Sequence, residues 1–437
     1  MREALTMDLY ELTMAYSYFK RGLNGPATFD YFVRAPTEHR RFLIFAGLET
    51  LLDYLENLRF EPEDLAYLES LGLFDREFLE YLRGFRFRGE VWAVPEGEVV
   101  FPGEPLVRVS ASRIEAQLIE TFLLNALNFE TLIASKAARV LLAAGLEASV
   151  VDFSPRRDHG VDAALKVARA SYLAGFAGTS NVAAGRAFGI PVVGTMAHAY
   201  VMSFPDELSA FRAFAEDHPN PTLLIDTYDV LEGARNALRV AQELRARGRQ
   251  LFGVRIDSGD LAALSRKVRR LLDEAGFPEV KLIVSGDLDE YRIQAFREQG
   301  GVAWGYGVGT RLGVSWDLPA LGGVYKLVED AHGPRIKKSA GKLTLPARKQ
   351  VWRLEEGEGF RDVIGLEGED LPGRPLLRKV MVDGRRLEPP ADLRALRERV
   401  RARIFALPEP LRVIRLEEAP AYPVGYSARL EALVRRL

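Results

Sequence analysis

The sequence predicts an α/β protein: an irregular (β/α) barrel joined to a smaller, β-rich domain. Short β-branched runs, "ASVVDF", "IPVVGT", "TLLIDT", "LFGVRID" and "KLIVSGD", alternate with amphipathic helical stretches from about residue 148 onward. A parallel sheet covered by helices has this pattern. The later runs recur about every 30 residues, the period of one unit of an eight-stranded barrel. An open, doubly wound sheet would share that period. The β-rich part is read from "FRGEVWAVPEGEVVFPGEPLVRVSAS" (87–112), where Gly-Glu and Pro-Gly turns divide short apolar runs.

Along the chain, "MDLYELTMAYSYFKRG" reads as an opening helix and "ATFDYFVR" as an alternating strand. Residues 40–85 are largely helical. After the β-rich stretch, "RIEAQLIETFLLNALNFETLIASKAARVLLAAG" is a long helical region. "GTSNVAAGRAFGIPVVGTMAHAYV" (178–201) places a small-residue helix after a turn, then a strand at Ile190 to Val193, then His198. Beyond residue 322, "GGVYKLVED", "GPRIKKSAG" and "RKQVWRLEEG" suggest antiparallel strands, and "PPADLRALRERVRARIFALP" a helix. Three regions result: 1–115, helical and β-rich; 116–330, the α/β barrel with the active site; and 331–437, a mixed segment that can fold back beside the first.

Composition narrows the function. A 437-residue chain with 48% hydrophobic residues can bury a large core. The formal net charge of −2, with both signs abundant, argues against a nucleic-acid partner. No run approaches the roughly 20 apolar residues of a membrane helix, and no signal-peptide pattern opens the chain. A soluble cytoplasmic protein is expected. The absence of cysteine removes disulfides, thiolate nucleophiles and Cys-containing zinc sites.

Polar clusters fall at the carboxyl ends of successive strands: "DFSPRRDHG" (152–160), "GTMAHAY" (194–200), "IDTYD" (225–229), "RIDSGD" (255–260), "SGDLDE" (285–290) and "GYGVGTR" (305–311). Parallel α/β folds build their sites at that face. One cluster alone would be an ordinary helix cap; six at the same position imply a shared site. Asp226, Asp229, Asp257, Asp260 and Asp287 suit Mg²⁺ or sugar hydroxyls, while Gly286, Gly307 and Gly309 leave backbone N–H groups open to phosphate. Arg156, Arg157, Arg255 and Arg311 supply positive charge. The ligand is therefore expected to be anionic, phosphorylated and hydroxylated. "GYGVGT" itself matches neither the dinucleotide fingerprint nor the P-loop.

With "DLYELTMAY", "SPRRDHG", "GTSNVAAG", "GTMAHAYV", "IDTYD", "VRIDSGDL", "GVGT" and "GGVYKL" in that order, residues 8 to about 327, the chain resembles the nicotinate phosphoribosyltransferase family of type II phosphoribosyltransferases. The resemblance implies transfer of phosphoribose from phosphoribosyl pyrophosphate to nicotinate, coupled to ATP hydrolysis, with Mg²⁺ as cofactor. His198 matches the family histidine that is transiently phosphorylated, and an imidazole nitrogen is a competent phosphoryl acceptor when its partner nitrogen is held. Asp257 is assigned to ribose hydroxyls, and Arg255 to the carboxylate or a phosphate. Gly286, Asp287, Gly307, Gly309 and Thr310 are assigned to the 5′-phosphate. Ser180 and Thr195 are assigned to the nicotinate carboxylate, with Arg156 or Arg157 supplying charge. Tyr10, from a neighbouring subunit, and Phe153 are assigned to the two faces of the pyridine, so a homodimer with shared sites is implied.

Two features separate close relatives. The resemblance puts an aspartate at the third position of the Gly-Thr-x loop in nicotinamide-specific enzymes; here it is Ser180. An aspartate there would repel a substrate carboxylate. The segment after the arginine pair reads "DHGVDAAL", where the family usually has Ala-Gln-Gly. Three alternatives are nicotinamide phosphoribosyltransferase, the shorter quinolinate phosphoribosyltransferase, which lacks the histidine, and a non-catalytic phosphosugar- or nucleotide-binding barrel. "RERVRARI" (397–404) reads as the charged face of an amphipathic helix rather than a basic interaction module.

Overall fold

The computed structural model describes residues 4–34, 39–337, 344–356, 359–415, 422 and 424–437. Its centre is a six-stranded sheet ordered Gly178–Thr179, Ser149–Asp152, Gly305–Val308, Lys281–Val284, Gly253–Ile256, Thr222–Leu224. Every pairing in it is parallel. Four of the five expected β-branched runs, all but "IPVVGT", became strands, and the helices between them do the covering. Phe211, Ala237, Val240, Val268 and Leu272, from three successive helices, meet Leu223, Val254 and Leu282 of the sheet. Ile133, Ala137 and Leu141 of the helix Glu120–Ala144 meet Val150, Val284 and Val308.

The expected barrel needs correction: among the described residues no closed ring of strands exists, and the sheet ends at Gly178–Thr179 on one side and Thr222–Leu224 on the other. The segment that would extend it is the predicted strand Ile190 to Val193. Only Val192 bridges Thr179 there. Pro191 has no N–H to donate, which limits the ladder, and Val192 is half exposed. His198 consequently opens a short helix, His198–Met202, instead of following a strand end.

A second sheet of seven strands has the order Gly333–Pro334, Gly323–Asp330, Pro26–Val33, Val107–Ser112, Glu90–Ala93, Arg378–Val382, Arg385–Arg386. It joins strands from near both ends of the chain, since Pro26–Val33 pairs antiparallel with Gly323–Asp330 and Glu90–Ala93 with Arg378–Val382. A four-stranded sheet contains Lys349–Glu356 antiparallel to Gly359–Leu366. The helices expected within 9–20, 40–85 and 393–405 form as Leu9–Lys20, Leu48–Asn57, Pro62–Ser70, Arg76–Arg83 and Leu393–Phe405. Of the suggested strand "GPRIKKSAG", Gly333–Pro334 is a strand, and residues 338–341 lie outside the described residues. No described helix is long and apolar enough to cross a membrane.

Candidate active site

The site assembles where the strands of the parallel sheet end. Phe153 follows the strand Ser149–Asp152, and one edge of its ring is pressed on Gly307 of the neighbouring strand: a Cβ at Gly307 would fall 2.4 Å from the ring's Cδ2 and Cε2. Glycine is therefore required by the aromatic floor itself. Across from Phe153 stands Arg255, its guanidinium 5.8 Å from the ring centre. Arg255 donates through Nη1 to Thr195 Oγ1 at 2.8 Å and through Nη2 to the Met196 carbonyl at 3.4 Å. Its Nε is buried without a hydrogen-bond partner among the described residues. Burial holds the guanidinium below its usual range; Asp257 and Asp226 act in the opposite sense, and Arg156 adds to the lowering. A desolvated cation with a free N–H beside an aromatic face is suited to a flat anion.

The next strand end supplies carboxylates. Asp257 accepts from Ser285 Oγ at 2.5 Å, while its own N–H donates to Asp226 Oδ2 at 3.0 Å. Asp226 Oδ2 also takes the Ser258 hydroxyl at 2.6 Å, and Asp226 Oδ1 is buried and unbonded among the described residues. Neighbouring Thr227 holds His198: the distance from Nδ1 to Oγ1 is 3.1 Å. The imidazole is half-buried, and Nδ1 is the ring nitrogen engaged here, which leaves Nε2 outside this contact.

Gly286 and Asp287 both take positive φ, +104° and +55°. Two consecutive positive-φ residues turn the chain sharply at this strand end. The loop sits hard against its neighbour, since a Cβ at Gly286 would meet the Asp257 carbonyl at 2.1 Å. Gly309 caps the short helix Thr310–Gly313. Below these loops a buried ionic cluster fixes them in place. Lys136 pairs with Glu290 at 2.6 Å and with Asp317 at 2.7 Å; Arg139 reaches Glu290 at 3.1 Å and Arg40 reaches Asp317 at 2.7 Å. Asp287 is tied to Arg292 at 3.1 Å, and Arg311 to Asp289 at 3.2 Å.

On the opposite edge, Thr179 Oγ1 donates to Asp152 Oδ2 at 2.7 Å and accepts the Asn181 N–H at 3.0 Å, so it fixes the backbone around Ser180. Ser180 N–H itself donates to the Asp152 carbonyl at 2.8 Å. Arg156 and Arg157 are exposed on the adjoining loop, anchored by the Arg157 N–H to the Ser154 carbonyl at 2.7 Å.

Phe153, Gly307, Arg255 and Thr195 thus form one group, and Asp257 with Gly286 a second at the adjoining strand ends, with Ser285 bonded to Asp257. Tyr10 is placed elsewhere: it lines a cleft of about 390 Å³ with Thr121, Asn125, Asn128 and Pro319, and burial followed by the Glu120 and Glu11 carboxylates raises its phenol. Asp229 and Asp260 turn out to be helix caps, accepting N–H bonds from Leu231 and Glu232, and from Ala263. Thr227, Ser285, Ser154 and Asp152 are site residues that the sequence reading passed over. All lie inside the quoted clusters, but hydroxyls and one carboxylate among many carry no spacing signal of their own. Among the described residues no three His, Asp or Glu side chains gather as a metal cage. Asp257 with the open oxygen of Asp226 fits the other arrangement, in which Mg²⁺ takes one or two carboxylates and substrate phosphates.

Residues 5–128 match the nicotinate phosphoribosyltransferase (NAPRTase) N-terminal domain, and residues 148–320 match the nicotinate phosphoribosyltransferase (NAPRTase) family. The chain is 48% identical over 436 residues to nicotinate phosphoribosyltransferase pncB2 of Mycobacterium tuberculosis, covering 99% of this chain and 94% of that one. To the nicotinate phosphoribosyltransferase of Bacillus subtilis it is 45% identical, covering 86% and 78%. The crystal structure of human nicotinic acid phosphoribosyltransferase superposes with a TM-score of 0.88 at 31% identity, covering 99% of both chains. That of nicotinate-nucleotide pyrophosphorylase from Pyrococcus furiosus gives 0.76 at 25% identity, covering 93% and 97%. On sequence and fold, the chain belongs to the nicotinate phosphoribosyltransferase family.

Proposed function

We propose that the protein transfers phosphoribose from phosphoribosyl pyrophosphate to nicotinate, forming nicotinate mononucleotide and pyrophosphate in NAD biosynthesis by salvage, with ATP hydrolysis coupled through a transient phosphohistidine at His198. The observation that carries the reading is the Phe153–Arg255–Thr195 group. It offers a flat apolar face, a partly desolvated cation and a hydroxyl, the complement of a planar aromatic carboxylate. Arg156 or Arg157, with Ser180, completes the pocket.

The chemistry follows from the leaving group. Loss of pyrophosphate from an anomeric carbon builds positive charge on the sugar, so stabilising the departing anion matters more than a strong base. Mg²⁺, when bound with the pyrophosphate near Asp257 and Asp226, supplies charge neutralisation. Asp257, oriented by Ser285, receives ribose hydroxyls. The backbone of Gly286, Asp287, Gly309 and Thr310, beside Gly307 in its strand, receives the 5′-phosphate. When Nδ1–H of His198 donates to Thr227, the lone pair on Nε2 is available to attack the γ-phosphorus of ATP; the Nε2–P bond forms as the bond to ADP breaks. A homodimer, in which Tyr10 of one subunit stacks on the base bound by the other, accounts for Tyr10 lying apart from the cluster within one chain.

The test mixes the protein, Mg²⁺ and phosphoribosyl pyrophosphate with nicotinate, nicotinamide or quinolinate, with and without ATP, and identifies the mononucleotide. Nicotinate is expected to react fastest, with ATP raising its turnover. His198→Ala is expected to remove the ATP-dependent gain and leave slow transfer. Equal rates with and without ATP in the unaltered protein refute the coupling.

A further inference from the structure

The loop that carries Arg156 and Arg157 and the loop that carries Ser180 are joined by a row of side chains: Asp158, Ser154, Asp152 and Thr179. We propose that Asp158 is a positioning residue of the nicotinate pocket, closing this row in its protonated form and so holding the paired arginines against the Gly-Thr-Ser loop. The proposal deepens the functional reading above and rests on it.

Ser154 Oγ lies 2.6 Å from Asp152 Oδ1 and 2.9 Å from Asp158 Oδ2. A hydroxyl has one hydrogen to give. Asp152 also takes the Ser154 N–H at 2.9 Å and the Thr179 hydroxyl at 2.7 Å, three donations that mark it as the ionised partner. The hydrogen of Ser154 is then committed to Asp152, and the contact to Asp158 is a hydrogen bond only if Asp158 brings the proton. Its other oxygen, Oδ1, is buried without a hydrogen-bond partner among the described residues. That oxygen is pressed on the helix Thr310–Gly313, 1.8 Å from where a Cβ of Gly313 would stand. A charged carboxylate has nothing there to solvate it.

The surrounding charges agree. Burial pushes Asp158 up to about 6; the Ser154 bond opposes this, Asp152 adds to it and His159 opposes it. Asp152, across Ser154, and His159, on its own loop, are the charges that act on Asp158; Arg156 and Arg157 share that loop and are exposed, and on the packed helix the Arg311 guanidinium is taken by Asp289. Burial raises Asp152 as well, and its hydrogen bonds act to lower it. As pH rises through about 6, Asp158 ionises beside ionised Asp152, the proton of the row is lost, and the new anion competes with nicotinate for the adjacent arginines.

The KM for nicotinate of the full-length enzyme is measured from about pH 5 to pH 8 beside that of Asp158→Asn, whose amide N–H donates to Ser154 at every pH. The unaltered enzyme is expected to show KM rising up to about tenfold per pH unit above the transition, kcat following the same curve in both proteins. Asp158→Asn is expected to hold the low KM throughout, and Asp158→Ala a high one. Parallel KM profiles for enzyme and Asp158→Asn, or a difference confined to kcat, overturn the proposal. The proton is also read without turnover, as a protonated-carboxyl stretch in the infrared difference between unaltered protein and Asp158→Asn at about pH 5; its absence overturns the proposal too. Failure to form nicotinate mononucleotide at any pH sinks the functional reading instead, and the infrared result stands apart from it.

Discussion

Ser180 sits between two residues whose own side chains are fully committed. Thr179 bonds Asp152, and Asn181 caps the following helix by accepting the Ala184 N–H at 3.1 Å. The backbone is fixed on both sides, so a change at position 180 alters the chemistry offered to the substrate more than the path of the chain. Ser180→Asp is expected to lower kcat/KM for nicotinate by about 10- to 100-fold, the penalty of setting two carboxylates against each other, and to lower that for nicotinamide much less. Competition between the two bases in one assay measures the ratio. An unchanged ratio removes Ser180 from the pocket.

At the scale of elements, the strand Gly305–Val308 is unusual in what it omits. Gly307 faces the Phe153 ring so closely that no side chain fits, and the pairing of Val308 with Asp152 brings the two strand ends level. Gly307→Ala is expected to force the ring off its present plane. The KM for nicotinate should rise about 10- to 100-fold, the cost of a misplaced binding surface, with a stability loss of about 1–3 kcal/mol from overpacking. Steady-state kinetics and urea unfolding give the two values. A loss of stability with unaltered KM would show that the ring does not serve the base.

For the whole molecule, the question is what joins the C-terminal sheet to the rest. Arg353, on Lys349–Glu356, donates to Asp362 at 2.9 and 2.6 Å, to Glu98 at 3.0 Å and to the Val99 carbonyl at 2.7 Å, nearly all out of water. Arg374 and Arg403 reach the other oxygen of Glu98 at 3.1 and 3.2 Å. One glutamate of the N-terminal region thus collects three arginines from distant parts of the chain. Arg353→Met leaves Asp362 buried without its cation and should cost about 3–5 kcal/mol, read as a lowered unfolding midpoint. Arg374→Met, at a half-exposed position, should cost less than about 1 kcal/mol.

The sequence by itself determined the layered class of the protein, most strands of the parallel sheet and the strand ends at which the polar clusters fall, because these depend on local signals. β-branched runs make strands wherever a core can receive them, and polar residues just past a run are carried to the same face of a parallel sheet. Tertiary structure decided what depends on who meets whom. The sheet stays open at Val192 because proline and solvent leave that segment short of partners. Asp229 and Asp260 cap helices while Asp226, with the same composition around it, turns inward to the Asp257 backbone. Thr227 and Ser285 matter only because a distant imidazole or carboxylate arrives within 3.1 Å of them, and no spacing along the chain encodes that arrival. The joining of the N-terminal strands to Gly323–Asp330 and Arg378–Val382 is of the same kind: a pairing across hundreds of residues, fixed by backbone ladders and shared core rather than by any local pattern.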